Sequence, residues 1–103
     1  MSRTRLDPTV RKDQIITAAI ELARRDGYEN VRREGVAAQA GIAPGLVSKY
    51  WGTMPQLRRA IMRHAIEIED LIVIAQGIAR GDPCARKAPQ KLKDRALAQL
   101  ASA

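Results

Sequence analysis

The residues of this chain best suited to chemistry lie in one short run, Ala43-Pro44-Gly45-Leu46-Val47-Ser48-Lys49-Tyr50. Proline fits the first turn of a helix because no intrahelical N–H partner is lost there. Gly45 leaves the start of that helix bare, so a phosphate or a base edge can approach closely, and unpaired N–H groups at a helix start favour an anion. Ser48, Lys49 and Tyr50 add two hydroxyls and an ammonium, donors suited to phosphate oxygens and base acceptors. Val47 has the inward phase shared by Ile42 and Trp51. Leu46 is therefore turned outward, where a leucine in a DNA groove can touch a thymine methyl. This is the chemistry of recognition. For bond-making chemistry there is little material. His64 is the sole histidine, Cys84 the sole cysteine, and no carboxylate pairs with His64 in a recognisable nucleophile–base arrangement. One cysteine excludes an intrachain disulfide and a zinc cluster. No enzymatic activity, metal or cofactor is expected.

The elements that must position this run are all helical. No segment alternates with period two, and β-branched residues are dispersed. A first helix starts at Asp7-Pro8, places Ile15, Ile16, Ala19, Leu22 and Ala23 on one face, and stops at Gly27, with Tyr28 packing back on it. A second runs Arg33–Ala40 with Val36, Ala37 and Ala40 inward. Gly41 supplies a left-handed turn and Ile42 anchors it. The third is Pro44 to about Trp51, ended by Gly52-Thr53. Two short helices joined by a glycine-led turn of three to four residues form the helix-turn-helix pattern, whose second helix enters the major groove.

A fourth, long helix starts at Met54-Pro55 with Thr53 as N-cap and ends at "RGDP", Arg80–Pro83. At 100° per residue it carries one apolar stripe of Leu57, Ile61, Ala65, Ile68, Ile72, Ala75 and Ala79, and a second of Met62, Ile66 and Val73, with Ile74 on what should be polar surface. Two stripes predict packing on the home domain from one side and on a partner from the other. Arg86–Pro89 is a basic linker, and a last helix, Gln90–Leu100, has Leu92, Ala96, Leu97 and Leu100 on one face. The expected dimer interface is therefore Met62, Ile66, Val73, Ile74, Leu92, Leu97 and Leu100.

Bulk properties agree. The 103 residues suit one small domain whose core is marginal alone, which favours oligomerisation. The net charge of +7 points to a polyanionic partner. The N-terminal arginines have no apolar signal-type segment behind them, and the densest apolar run, Leu71–Ala79, is too short to span a bilayer. With a lone cysteine, a cytoplasmic location is expected and no membrane partner. Arg3, Arg5, Arg11 and Lys12 form either an ordinary basic start or an arm for the minor groove.

Three segments, "II-AAIELARRDGY", "VAAQAGIAPGLVSKYW" and "GTMPQL" running into a long helix, give residues 11–63 a resemblance to the DNA-binding domain of TetR-family repressors. Within that family the chain looks most like the short plasmid-borne KorC-type repressors, through "AIELARRDGY" and "YWGTMP". The resemblance implies an all-α fold: a three-helix DNA-binding domain with a basic arm over residues 1–53, and a short helical dimerisation region over 54–103. It implies that Arg32 and Arg33 touch the DNA backbone and a base, that Ala43, Pro44, Gly45, Leu46 and Lys49 face bases, that Ser48 and Tyr50 contact the backbone, and that Thr53 lies in a turn that meets phosphate. Where the family usually has Thr, Tyr, Phe and Lys, this chain has Arg32, Ser48, Trp51 and Met54; the first change loses a capping hydroxyl. Only 40 residues follow position 63. They are expected to suffice for a dimer interface and to leave no ligand cavity of several hundred Å³, which predicts a repressor needing no inducer. A non-specific architectural DNA-binding protein and a protein-interaction module such as an antitoxin are the rival readings.

Overall fold

A computed structural model describes residues 7–102. Helix α1, Pro8–Asp26, is capped by Asp7, whose carboxylate accepts the Thr9 N–H at 2.8 Å, and has proline in its first turn. It ends at Gly27, where φ is 95°. A 3₁₀ turn, Tyr28–Asn30, leads to α2, Arg33–Ala40, and α3, Pro44–Trp51. Gly41, at φ 72°, makes the left-handed turn between them, and the Ile42 N–H bonds back to the Ala37 carbonyl. Then come α4, Met54–Glu67; α5, Leu71–Arg80; the single-turn α6, Pro83–Arg86; and α7, Gln90–Ala101. The described residues contain no strand. Arg3 and Arg5 lie outside them. Arg11 and Lys12 belong to α1 rather than to an arm.

The core forms where the apolar faces meet. Ile15, Ile16, Ala19 and Ala23 of α1 are buried with Val36 and Ala37 of α2, Val47 of α3, and Leu57, Ile61 and Ala65 of α4. Leu22 and Tyr28 are buried too, and Ile42 and Trp51 pack on this core half-buried. The helix-turn-helix thus follows the sequence expectation closely.

The fourth helix does not. It breaks after Glu67 in a capping turn: the Asp70 N–H reaches the Ala65 carbonyl at 2.8 Å and the Glu69 N–H the Ile66 carbonyl at 3.2 Å. Glu69 takes the left-handed position at φ 58°, where glycine is usual. Asp70 then caps α5 by accepting the Val73 N–H. The break resets the helical phase of the residues beyond it. Val73 and Ile74, expected outside, are fully buried; Ile68 and Ile72, expected inside, are 52% and 36% exposed. Met62 and Leu92 are also taken into the chain's own core, and Ile66 is half-buried against it. Four of the seven expected interface residues are therefore unavailable to a partner in this fold, and only Leu97 and Leu100 remain exposed.

Helix α5 holds the second half together. Its Gln76 side chain bridges to α1 and the 3₁₀ turn, donating to the Ala23 carbonyl at 2.9 Å and accepting the Tyr28 N–H at 2.9 Å. Gly77 brings α5 against α4 and α6: a Cβ there would lie 2.5 Å from Met62 Cε and 2.7 Å from Ala85 Cβ. The expectation of no sizeable cavity also needs correction. An open groove of about 530 Å³ runs beside α5, between the end of α1 and the end of α7.

Two glycines predict opposite outcomes. Gly77→Val should overpack the α4–α5–α6 contact and lower unfolding free energy by about 2 kcal/mol. Gly35→Ala, whose Cβ would make an ordinary 3.4 Å contact with Leu22, should raise it by about 0.5–1 kcal/mol. Chemical denaturation reads both. Tyr28 supplies a pH test. Burial, then the charges of Asp82 and Glu29, push its phenol from 10 up to about 12. The neutral phenol is the form favoured in the fold, so its contribution is complete below pH 10 and is lost as pH rises toward 12. Tyr28→Phe should flatten the alkaline fall in stability across that window.

Candidate nucleic-acid interface

The helix-turn-helix unit is fixed to α1 at two points, the end of α3 and the end of α2. At its C-terminal end the Trp51 indole N–H donates to the Lys12 carbonyl at 3.2 Å, and the Lys12 ammonium lies 4.5 Å from the Trp51 ring centroid. The indole N–H gives a use for tryptophan where phenylalanine is usual in the resembled family, since phenylalanine has no such donor. At the turn, Gln14 donates to the Ala40 carbonyl at 3.1 Å and accepts from Arg11 at 3.0 Å. Val47, 1% exposed, anchors the middle of α3.

What these anchors leave outward is the expected edge. Ala43, Pro44, Gly45 and Lys49 are exposed; Leu46, Ser48 and Tyr50 are half-buried along its margin. A Cβ at Gly45 would meet nothing within 4 Å. Helix α3 has no side-chain cap. Pro44 has no N–H, and the Leu46 N–H bonds to the Ala43 carbonyl, which leaves the Gly45 amide for an external acceptor. Helix α2 is likewise uncapped at Arg32, so its first-turn amides are open to an anion. Helix α7 is uncapped at Pro89 as well, whereas α1, α4, α5 and α6 are capped by Asp7, Thr53, Asp70 and Asp82. Arg32 is exposed. Arg33 is half-buried, and its Nε is enclosed without a hydrogen-bond partner among the described residues, as is that of Arg58.

Two expected contacts look different in three dimensions. The Thr53 hydroxyl is committed to a capping box: its oxygen accepts the Gln56 N–H at 3.3 Å and lies 3.2 Å from Gln56 Oε1, which also accepts the Thr53 N–H. Thr53 therefore sets where α4 begins. Tyr50 packs partly on the core, with the Lys49 ammonium 5.5 Å from its ring centroid. Sequence reasoning missed the Lys12–Trp51 pairing, which joins residues 39 apart. Its one signal was the tryptophan itself, because a part-buried indole N–H seeks an acceptor. His64 lies apart from this edge and faces Glu67 at 3.3 Å.

Residues 15–61 match the family model described as bacterial regulatory proteins, tetR family. No curated protein and no solved structure matches the chain. The matched segment runs from Ile15 in α1 to Ile61 in α4 and contains all of α2 and α3. It supports a TetR-type N-terminal helix-turn-helix domain and a DNA-binding transcriptional regulator.

Gly45 separates binding from folding. Gly45→Ala should leave the melting temperature unchanged or higher, because the Cβ enters open space. DNA affinity should fall roughly tenfold, about 1.4 kcal/mol, as the helix start is held off the nucleic acid. Calorimetric melting and fluorescence anisotropy on the same variant distinguish the two effects.

Proposed function

We propose that this chain is a sequence-specific transcriptional repressor, of the short KorC-like kind, that occupies a pseudo-palindromic operator as a homodimer in the cytoplasm without a small-molecule inducer. The observation that carries this reading is the α3 edge: a bare Pro44-Gly45 start with Leu46 and Lys49 behind it, on a helix pinned to α1 by Val47 and Trp51. Bases are read by Ala43, Pro44, Gly45, Leu46 and Lys49. Arg32, Ser48 and Tyr50 hold the phosphate backbone, and Arg33 reads a base beside them. Thr53 orders the phosphate-facing turn chiefly through its backbone, its hydroxyl being used in the cap. Residues 54–103 carry the pairing that sets two α3 helices about 34–36 Å apart. Repression follows from steric occupation of a promoter.

The test is a band-shift with the DNA upstream of this protein's own coding region against a scrambled duplex of equal length. Selective retention of the native duplex, with affinity falling steeply as salt rises, is the expected result. Equal affinity for both duplexes would sink the sequence-specific reading.

One observation favours a rival. The α3 edge has no Asn, Gln or Arg for bidentate base contacts, which suits a non-specific architectural protein. Arg33→Ala decides between them. It should change sequence preference if Arg33 reads a base, and lower affinity uniformly across sequences if Arg33 meets only phosphate.

A further inference from the structure

The groove beside α5 is built like a seat for a helix. Ile72, Ala75, Gln76 and Ala79 recur at i, i+3, i+4 and i+7 and form its floor, and the two alanines let a partner backbone come close. Residues 26–30 form one wall; Gln99 and Leu100 of α7 form the other. Next to it, between α5 and α7, a shallower hollow exposes Ile68 and shares Ile72 and Gln99 with the groove. Ile68, Ile72, Leu97 and Leu100 are four of the five large hydrophobic side chains that stand exposed among the described residues. Leu97 and Leu100 lie one turn apart and make a short apolar ridge on α7, immediately beside the groove.

Charge identifies what fits there. Six charged side chains line the groove and the hollow: Arg24, Asp26, Glu29, Glu69, Asp70 and Arg80. Every one of them is in an ion pair: Arg24 with Asp70 at 3.4 Å, Asp26 with Arg25 at 3.0 Å, Glu29 with Arg80 at 3.3 Å, and Glu69 with Arg95 at 2.7 Å. The lining holds four acids and two bases, and the ion-pair partners Arg25 and Arg95 just outside it complete the cancellation, so the groove and the hollow contribute nothing to the net +7. A strongly basic chain repels its own copy wherever unpaired cations meet. Here they do not meet. The same neutrality gives a polyanion nothing to hold. A groove and a ridge side by side on one surface are also what a two-fold self-association needs, since each copy then supplies both halves of the contact.

We propose that this face binds a second copy of the chain, the Leu97–Leu100 ridge of each protomer lying in the alanine-floored groove of the other. The proposal rests on the homodimeric reading above and replaces its interface: Ile68, Ile72, Ala79, Leu97 and Leu100 meet the partner, while Met62, Val73, Ile74 and Leu92 support them from the core.

The experiment is sedimentation of the full chain over a concentration series, with Leu97→Glu and Ala79→Glu as variants. Both positions are exposed, so neither substitution buries a charge in the protomer. Far-ultraviolet circular dichroism and melting check the fold, and binding to a duplex carrying one half-site is measured in parallel. A dimeric wild type whose dissociation constant rises tenfold or more, about 1.4 kcal/mol, in both folded variants supports the proposal. Half-site affinity should stay unchanged. Variants that stay dimeric overturn the interface while leaving a dimeric repressor standing. A wild type that is monomeric throughout overturns it as well. So does a monomer that takes up an added apolar dye or an amphipathic peptide in this groove, since the occupant is then something other than a second copy. If the wild type dimerises, both variants dissociate and no duplex is bound, the interface stands and the DNA-binding reading falls.

Discussion

The hydrogen bond from the Asp70 amide to the Ala65 carbonyl closes the turn on which the second half of the molecule depends. It stops α4 at Glu67 and lets Asp70 start α5 at a new phase. Without it, a continuous helix would carry Ile68 and Ile72 inward and leave Val73 and Ile74 to water. The left-handed Glu69 costs about 1 kcal/mol relative to an ordinary helical residue. Burying Val73 and Ile74 offsets that several-fold, since each fully buried aliphatic side chain contributes about 1.5–3 kcal/mol. Packing therefore outweighs local backbone preference. The same turn settles which apolar side chains are left over, and so creates the neutral groove and the exposed Ile68 and Ile72.

The first half obeys a different constraint, the need to hold a short helix with few contacts. Helix α3 has eight residues and one fully inward side chain, Val47. An isolated helix of that length does not persist in water. It persists here because α1 gives it acceptors and cover: the Lys12 carbonyl for the indole, and the Lys12 stem and ammonium over the ring. Anchoring from behind lets the forward edge stay small and uncapped. A side-chain cap on α3 would occupy amides that are open to an external acceptor here. The missing caps on α2 and α3 cost stability of about 1 kcal/mol each. The fully capped α1 and α4 on either side bear that cost for the domain.

The sequence made the helix-turn-helix legible because its signals are local. Asp7-Pro8, Gly27, Gly41, Pro44 and Gly52 each mark an end through backbone geometry or a missing N–H, and every one of those ends is where the chain turns. The α4–α5 break was not legible because it has no such residue: Ile68, Glu69 and Asp70 include neither glycine nor proline, and a left-handed glutamate is chosen by packing that no window of sequence contains. Assigning Val73 and Ile74 to a partner followed from that missed break, since a phase error moves every later side chain of the same helix; Met62 precedes the break and is covered because Gly77 of α5 packs against it. For the site, exposure along α3 was legible from the inward phase of Val47. The occupation of the Thr53 hydroxyl was legible in part, because Thr-x-x-Gln at 53–56 is a capping-box spacing.

Charge placement links the two halves. A chain at +7 gains affinity for a polyanion from every unpaired cation, yet each of those cations also opposes the approach of a second copy. In this fold the two kinds of surface are segregated. Arg24, Arg25, Arg80 and Arg95 are neutralised by acids on the α5 side, while Arg32 and Lys49 stand exposed at the helix-turn-helix without an ion pair among the described residues. Exposed ion pairs of this kind contribute little to stability. Their value lies in what they cancel: they leave an apolar groove uncharged on a basic protein, on a different face from the exposed cations of the helix-turn-helix.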